Sequence, residues 1–135
     1  MNTKQKKFFS LSDQEEQIGK HVVDAAFKVH YALGPGLLES VYETCFCHEL
    51  AKHGLNFQRQ VAVPIEYDGI FFEEAFCLDV IVEDLVICEL KAMDLMLPVY
   101  QAQLLSYLKL KHKSLGYLIN FHVPLIKDGI HRFVF

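Results

Sequence analysis

The stretch "LDVIVEDLVICELKA", residues 78 to 92, decides how the chain is read. Ten of its fifteen positions are apolar, which points to two buried strands joined by a turn at Glu83 and Asp84. Outside that turn, three charges interrupt the run: Asp79, Glu89 and Lys91. A buried, unpaired carboxylate or ammonium costs several kcal/mol or shifts its pKa until it neutralises. Residues two apart on a strand share a face, so Glu89 and Lys91 point the same way. Asp79 is about equally far from the turn on the preceding strand, and the hairpin brings it beside Glu89, directly or diagonally. Two carboxylates and an ammonium therefore converge on one patch of a mostly apolar sheet. Two readings follow. Either Asp79 pairs with Lys91 and leaves Glu89 at a solvated sheet edge, or the carboxylates share a cation. Mg²⁺ suits the second reading, because it takes oxygen ligands and keeps positions open for water and phosphate oxygens.

The flanking sequence supplies the rest of the fold. Ser12 and Glu15 form a capping box, and Ile18, Val22, Ala25, Ala26, Val29 and Leu33 recur at helical spacing, which predicts a helix over about 13–32. "GPG" at 34–36 ends it and opens a second helix over about 37–53, closed by Gly54. Two stripes run along that helix: Leu37, Val41, Cys45 and His48, and Leu38, Tyr42, Phe46 and Leu50. "FQRQVAVPIEY" alternates as a strand, with Pro64 marking an edge or a bulge, and Asp68-Gly69 makes a hairpin turn. Strands follow at 70–82 and 85–92, then a helix begun by Pro98 over about 98–112. Strands at 114–121 and, after Asp128-Gly129, 130–135 complete the order ααβββαββ. The expected class is α/β (mixed α+β): a central mixed sheet flanked by helices, with the apolar third strand in the middle.

The 135 residues suggest a polar tail over 1–12 and one domain over 13–135. No apolar run approaches the roughly 18 residues of a membrane span, and no signal core follows the N-terminal lysines, so a cytoplasmic protein is expected. Cys45, Cys47, Cys77 and Cys88 form no CxxC and read as small core residues in a reducing compartment. His30 and His48 read as partly buried, hydrogen-bonded structural histidines. A net charge of −4 is not the footprint of a tight, nonspecific nucleic-acid binder. Lys109, Lys111, His112 and Lys113 are the densest basic cluster, read either as a solvated helix end or as phosphate contacts.

These residues together resemble a known family. "D79…E89-L90-K91" looks like the core of the PD-(D/E)xK nuclease superfamily, although Leu78 stands where the name-giving proline would be. "GLLESVY", residues 36–42, fits the G-x-x-E-x-x-Y signature of a small family within it, and "QLLSYL", 103–108, matches the Q-x-x-x-Y helix motif of the RecB-like branch. "GYLINF" and "KDGIHRFVF" resemble the closing strands of the GxxExxY family. Four motifs in the right order cover nearly the whole chain.

The resemblance implies a restriction-endonuclease-like core and phosphodiester hydrolysis in nucleic acid, with DNA ahead of RNA. It makes Asp79 and Glu89 metal ligands, with the Leu90 carbonyl completing the set, and Mg²⁺ (or Mn²⁺ as substitute) the cofactor. Lys91 would position the attacking water or neutralise the transition state. Glu39, otherwise a first-turn acid favoured by the helix dipole, becomes an extra carboxylate; Gly36 serves the turn that places it. Tyr42 orients Glu39 or simply packs. Gln103 and Tyr107 share a helix face; the amide suits a phosphate, the metal water or Lys91, while Tyr107 has a core role as its alternative. Asn120 is expected to be structural. Arg132 joins Lys109, Lys111 and Lys113 as a phosphate contact. A homodimer is a further expectation, from size alone. Two rivals stand beside the nuclease: a catalytically weak binding or regulatory module on the same fold, and a hydrolase of small phosphorylated molecules.

Overall fold

The computed structural model describes residues 10–135; of the polar tail expected over 1–12, residues 1–9 lie outside that range. Helix α1 (Asp13–Leu33) starts at the predicted capping box: the Glu15 amide donates to Ser12 Oγ at 3.0 Å and the Ser12 amide to Glu15 Oε1 at 2.8 Å. It buries Ile18, Val22, Ala25, Ala26 and Val29. Gly34, at φ +67°, turns the chain out of the helix, a conformation open to glycine at no steric cost. Helix α2 (Glu39–Lys52) follows. Of its two apolar stripes, only that of Tyr42, Phe46 and Leu50 is buried; Leu37, Val41 and His48 are exposed. The aromatic stripe removes more surface from water and wins the inward face. His48 is therefore a surface residue, contrary to expectation. His30 fits its structural reading, with Nε2 2.7 Å from the Val123 carbonyl oxygen.

Five strands form one mixed sheet: β1 (Phe57–Tyr67), β2 (Ile70–Val82), β3 (Val86–Lys91), β4 (Leu115–Asn120) and β5 (Ile130–Val134), in spatial order β1-β2-β3-β4-β5. Helix α3 (Pro98–Lys111) carries the crossover between β3 and β4, the one parallel pair; a 3₁₀ turn, Ile126–Asp128, precedes β5. Pro64 sits on edge strand β1 where the β1–β2 register shifts, between Val63 and Ile65. The hairpin between β2 and β3 turns through Glu83, Asp84 and Leu85: Glu83 and Asp84 sit at φ +52°, and the Leu85 amide donates to the Val82 carbonyl at 2.9 Å.

β3 is central and covered on both faces. Val86, Cys88 and Leu90 point into the core under α1 and α2, with Val80, Val82, Leu115, Tyr117 and Ile119. Ile87 belongs to a smaller core under α3, with Ile81, Leu104, Tyr107, Leu108 and Leu118. Cys47 and Cys88 are buried and Cys45 is half-buried, but Cys77 is exposed, so the expectation of four core cysteines holds for part of the set. Cys77 lies where β2 leaves the covered part of the sheet: residues 70–75 are exposed and 78–82 are buried.

Candidate active site

The β2–β3 ladder ends at the pair Val80 and Cys88. The next pair would be Asp79 and Glu89, and there side chains replace the ladder. The Asp79 amide donates to Glu89 Oε2 at 2.7 Å, and the Leu90 amide donates to Asp79 Oδ2 at 2.8 Å. The two strands part at this point, and the carboxylates occupy the split.

This geometry speaks against the first reading of the charged run, the Asp79–Lys91 pair. Lys91 forms no ion pair with Asp79; its Nζ lies 4.7 Å from the centre of the Tyr100 ring, a cation–π contact. Glu89 is not at a solvated edge, being only 4% exposed. Among the described residues neither carboxylate has a salt-bridge partner within 4.0 Å. Burial therefore pushes the Glu89 carboxyl up to about 8, helped by the charge of Asp79 and opposed by the Asp79 amide and Lys91. Asp79 is also raised, by burial first, against the hydrogen bond from Leu90.

The donor chemistry fits a hard divalent cation. Each carboxylate has one oxygen fixed by a backbone amide. Glu89 Oε1 accepts no hydrogen bond among the described residues, and Asp79 Oδ1 accepts only a long one, 3.4 Å, from Gln60. Each carboxylate thus keeps one oxygen that no backbone amide holds, on neighbouring strands in a buried split. Among the described residues no three His, Cys, Asp or Glu side chains close into a ready cation cage. Mg²⁺ is commonly held by one or two carboxylates and keeps several waters, so an open pair suits it.

Glu39 is the first residue of α2, in its first turn as expected, and is half-buried. Burial and then the charge of Asp79 raise its carboxyl, with Lys91 opposing, so it lies within electrostatic reach of the split. Tyr42 does not orient it. The Tyr42 hydroxyl donates to the Gly34 carbonyl and accepts from the Leu37 amide at 3.1 Å, and its ring stacks on Phe121 at 4.6 Å. Tyr42 thus pins the Gly-Pro-Gly loop, with Gly36 at φ +101°, and the loop delivers Glu39. Ala92 and Met93, just past Lys91, line a cleft of about 340 Å³ with Gly36 and Leu37.

Tyr107 is buried beneath the split, edge-on to Phe76 at 5.3 Å. Burial, then the charges of Glu89 and Asp79, push its hydroxyl up to about 12. Gln103, one turn earlier on α3, is half-buried and makes no side-chain hydrogen bond among the described residues. Asn120 fills its structural role: its Nδ2 donates to the Met93 carbonyl at 2.9 Å, and its Oδ1 accepts from the amides of Met93 and His122.

The basic residues do not join the site. Lys113 lies 3.5 Å from Asp84, in the turn before β3, at the opposite end of that strand from Lys91. Lys109 and Lys111 close α3 at that same remote end. Arg132 pairs with Glu16 at 2.9 Å and stands opposite Tyr117 on β5, on the sheet face covered by α1.

Three participants were missed in the sequence. Glu43 is buried one turn after Glu39; its Oε2 accepts from Arg59 Nε at 2.9 Å and its Oε1 from Gln60 Nε2 at 2.8 Å. The i, i+4 spacing of Glu39 and Glu43 was the available signal. Nothing local marks Arg59 and Gln60, because their partners lie 16 to 19 residues away.

The chain belongs to the PD-(D/E)XK nuclease superfamily: the model of that family matches residues 16–133. The match spans β1 to β4, most of β5 and most of α1, and takes in Asp79, Glu89 and Lys91. Comparison with curated proteins and with solved structures found no match. Nucleases of this superfamily generally use divalent metal ions, and their substrate is nucleic acid. Among the described residues no helix is long and apolar enough to cross a membrane.

Proposed function

We propose that the chain is a Mg²⁺-dependent nuclease that hydrolyses phosphodiester bonds, with DNA ahead of RNA as substrate. The carrying observation is the Asp79–Glu89 pair: two buried carboxylates, each with one oxygen fixed by an amide and, among the described residues, no ion-pair partner. A bound Mg²⁺, or Mn²⁺ in its place, supplies phosphoryl charge stabilisation and an acidified water. Asp79 and Glu89 hold it, with the Leu90 carbonyl and Glu39 extending the oxygen set. Lys91 orients the attacking water and offsets negative charge on the phosphoryl oxygens; Tyr100 keeps its ammonium near the site without neutralising it. The unoccupied amide of Gln103 hydrogen-bonds a substrate phosphate. Tyr107 walls the split against water from the α3 side. A homodimer would present two such sites to two strands, and a monomer by light scattering would count against that part of the reading.

The test is calorimetric titration of Mg²⁺ and Mn²⁺ into wild type and Asp79→Ala, followed by incubation with single- and double-stranded DNA and RNA. Binding and cleavage in the wild type, both lost in the variant, are expected. Metal binding without cleavage of any of the four substrates favours a binding or regulatory module. A wild type that takes up no metal even with nucleic acid present defeats the reading.

A further inference from the structure

We infer that Gln60 is a positioning residue for the metal site, holding the Asp79 carboxylate in place from the far side of β2. The inference rests on the metal-site reading above and adds to it a residue of the edge strand.

Three observations carry it. First, the Gln60 side chain is fully committed. Its Nε2 serves two carboxylates, Glu43 Oε1 at 2.8 Å and Asp79 Oδ1 at 3.4 Å, and its Oε1 accepts from Cys77 Sγ at 3.3 Å. An amide has two N–H donors and one carbonyl oxygen, so this arrangement uses both kinds of group and fixes which way the amide faces. Turned over, the carbonyl would meet two carboxylates.

Second, the backbone is bent to deliver it. Gln60 sits at φ +51° inside β1, whereas the other non-glycine residues with positive φ, Asp68, Glu83, Asp84 and His112, lie in turns or at a helix end. A long side chain in the left-handed region within a strand is strained, and such strain collects where surrounding contacts enforce it. Those contacts are present: Gln60 stands between Arg59, which faces Val80, and Val61, which faces Leu78, and so lies opposite Asp79.

Third, the other end of the amide is anchored. Glu43 is 6% exposed, and Arg59 Nε at 2.9 Å holds its second oxygen. The chain of contacts Arg59–Glu43–Gln60–Asp79 therefore joins α2 and β1 to the one β2 residue that the site reading makes a metal ligand. Asp79 Oδ2 is fixed by the Leu90 amide. Gln60 fixes the plane of the remaining oxygen.

The experiment separates the amide from the backbone. Gln60→Gly removes the side chain but suits φ +51°; Gln60→Asn tolerates that φ yet is one methylene too short to span both carboxylates. Both are titrated with Mn²⁺ by calorimetry beside wild type and Asp79→Ala, and the thermal midpoint of each metal-free protein is measured. The expected result is an affinity lower by about 10- to 100-fold in both variants, as for partners that orient metal ligands, with the midpoint of Gln60→Gly equal to or above wild type. If Gln60→Gly binds Mn²⁺ within about twofold of wild type, Gln60 serves only the local backbone and the inference is overturned. If wild type and Asp79→Ala both give no metal heat, the metal-site reading itself has failed, and the inference falls with it.

Discussion

Alternate residues of β3 live in different worlds. Val86, Cys88 and Leu90 face the core under α1 and α2, where neighbours are apolar and contact is close. Ile87, Glu89 and Lys91 take the other side, and only Ile87 finds a comparable core. The difference begins where β2 leaves β3. Up to Val80 and Cys88 a backbone ladder holds the strands; beyond it, two carboxylates accept the amides that the ladder would have used. One face is arranged for stability and the other bears a cost in desolvated charge. That contrast teaches where to separate stability from function, because adjacent residues carry the two separately.

The largest expected effect is at Glu89. Glu89→Gln keeps the shape and the hydrogen bond from the Asp79 amide but removes a negative oxygen. Loss of a group that merely orients a metal ligand costs about 10- to 100-fold, so loss of a ligand should cost at least about 100-fold in Mg²⁺ affinity and cleavage. Thermal stability of the metal-free protein should hold or rise, because the neutral amide removes the proton uptake that burial forces on Glu89. Leu90→Ala, one residue on, should invert the pattern: about 2–5 kcal/mol of lost stability by denaturant titration, with metal bound while the chain remains folded. A destabilised Glu89→Gln with intact metal binding would erase the contrast.

Lys91→Met sharpens the contrast within the site face. Cleavage should fall by about 100-fold, in line with the loss of one preorganised electrostatic group. Metal affinity should stay level or tighten, because a competing cation is removed from beside the carboxylates. Parallel loss of both would make Lys91 a structural residue.

The pH dependence follows from the same face. Burial raises Glu89 from an ordinary value of 4.5 to about 8. Between these values the folded protein holds a proton that the unfolded chain has lost, so the linkage slope is negative. Metal-free stability is therefore highest below pH 4.5 as far as Glu89 contributes, and declines as pH rises to about 8. Thermal midpoints across this range should fall in wild type and flatten in Glu89→Gln. Saturating Mg²⁺ should flatten the wild-type curve at its upper end, because it stabilises the ionised form.

Most of the fold was legible because its signals are local. The capping box, the Gly-Pro-Gly break, the Asp-Gly turn and Pro98 each act within a few residues, and β3 declared itself central by the unbroken apolar run from Leu85 to Cys88. The Asp79–Glu89 approach was legible too, since a short hairpin fixes its own register. What escaped was tertiary. The choice of inward stripe on α2 depends on what the sheet presents, which misplaced His48. Gln60 and Arg59 act through Glu43, and no periodicity reports a partner on another element. The lysines at and after the end of α3 were read as phosphate contacts from their density, which says nothing about which end of the sheet a helix reaches.

The smallest expected effect tests that last point. Lys113 is tied to Asp84 before β3, whereas Glu89 and Lys91 lie three and five residues along the strand from Val86. At about 3.3 Å per residue the separation is roughly 10 to 16 Å, beyond the Debye length of about 8 Å at physiological salt. Charges that far apart, at the half-buried end of α3 and in the loop after it, are largely screened from the site. Neutralising Lys111 and Lys113 together should leave Mg²⁺ affinity and the single-turnover cleavage rate within about twofold of wild type. A duplex long enough to reach both ends of the sheet would still feel the lysines through its phosphates. The double variant should then bind a long duplex more weakly, with a shallower salt dependence, and bind a short oligonucleotide unchanged. A rate that collapses on the short oligonucleotide would place the lysines at the chemistry after all and remove the spatial contrast between the two ends of β3.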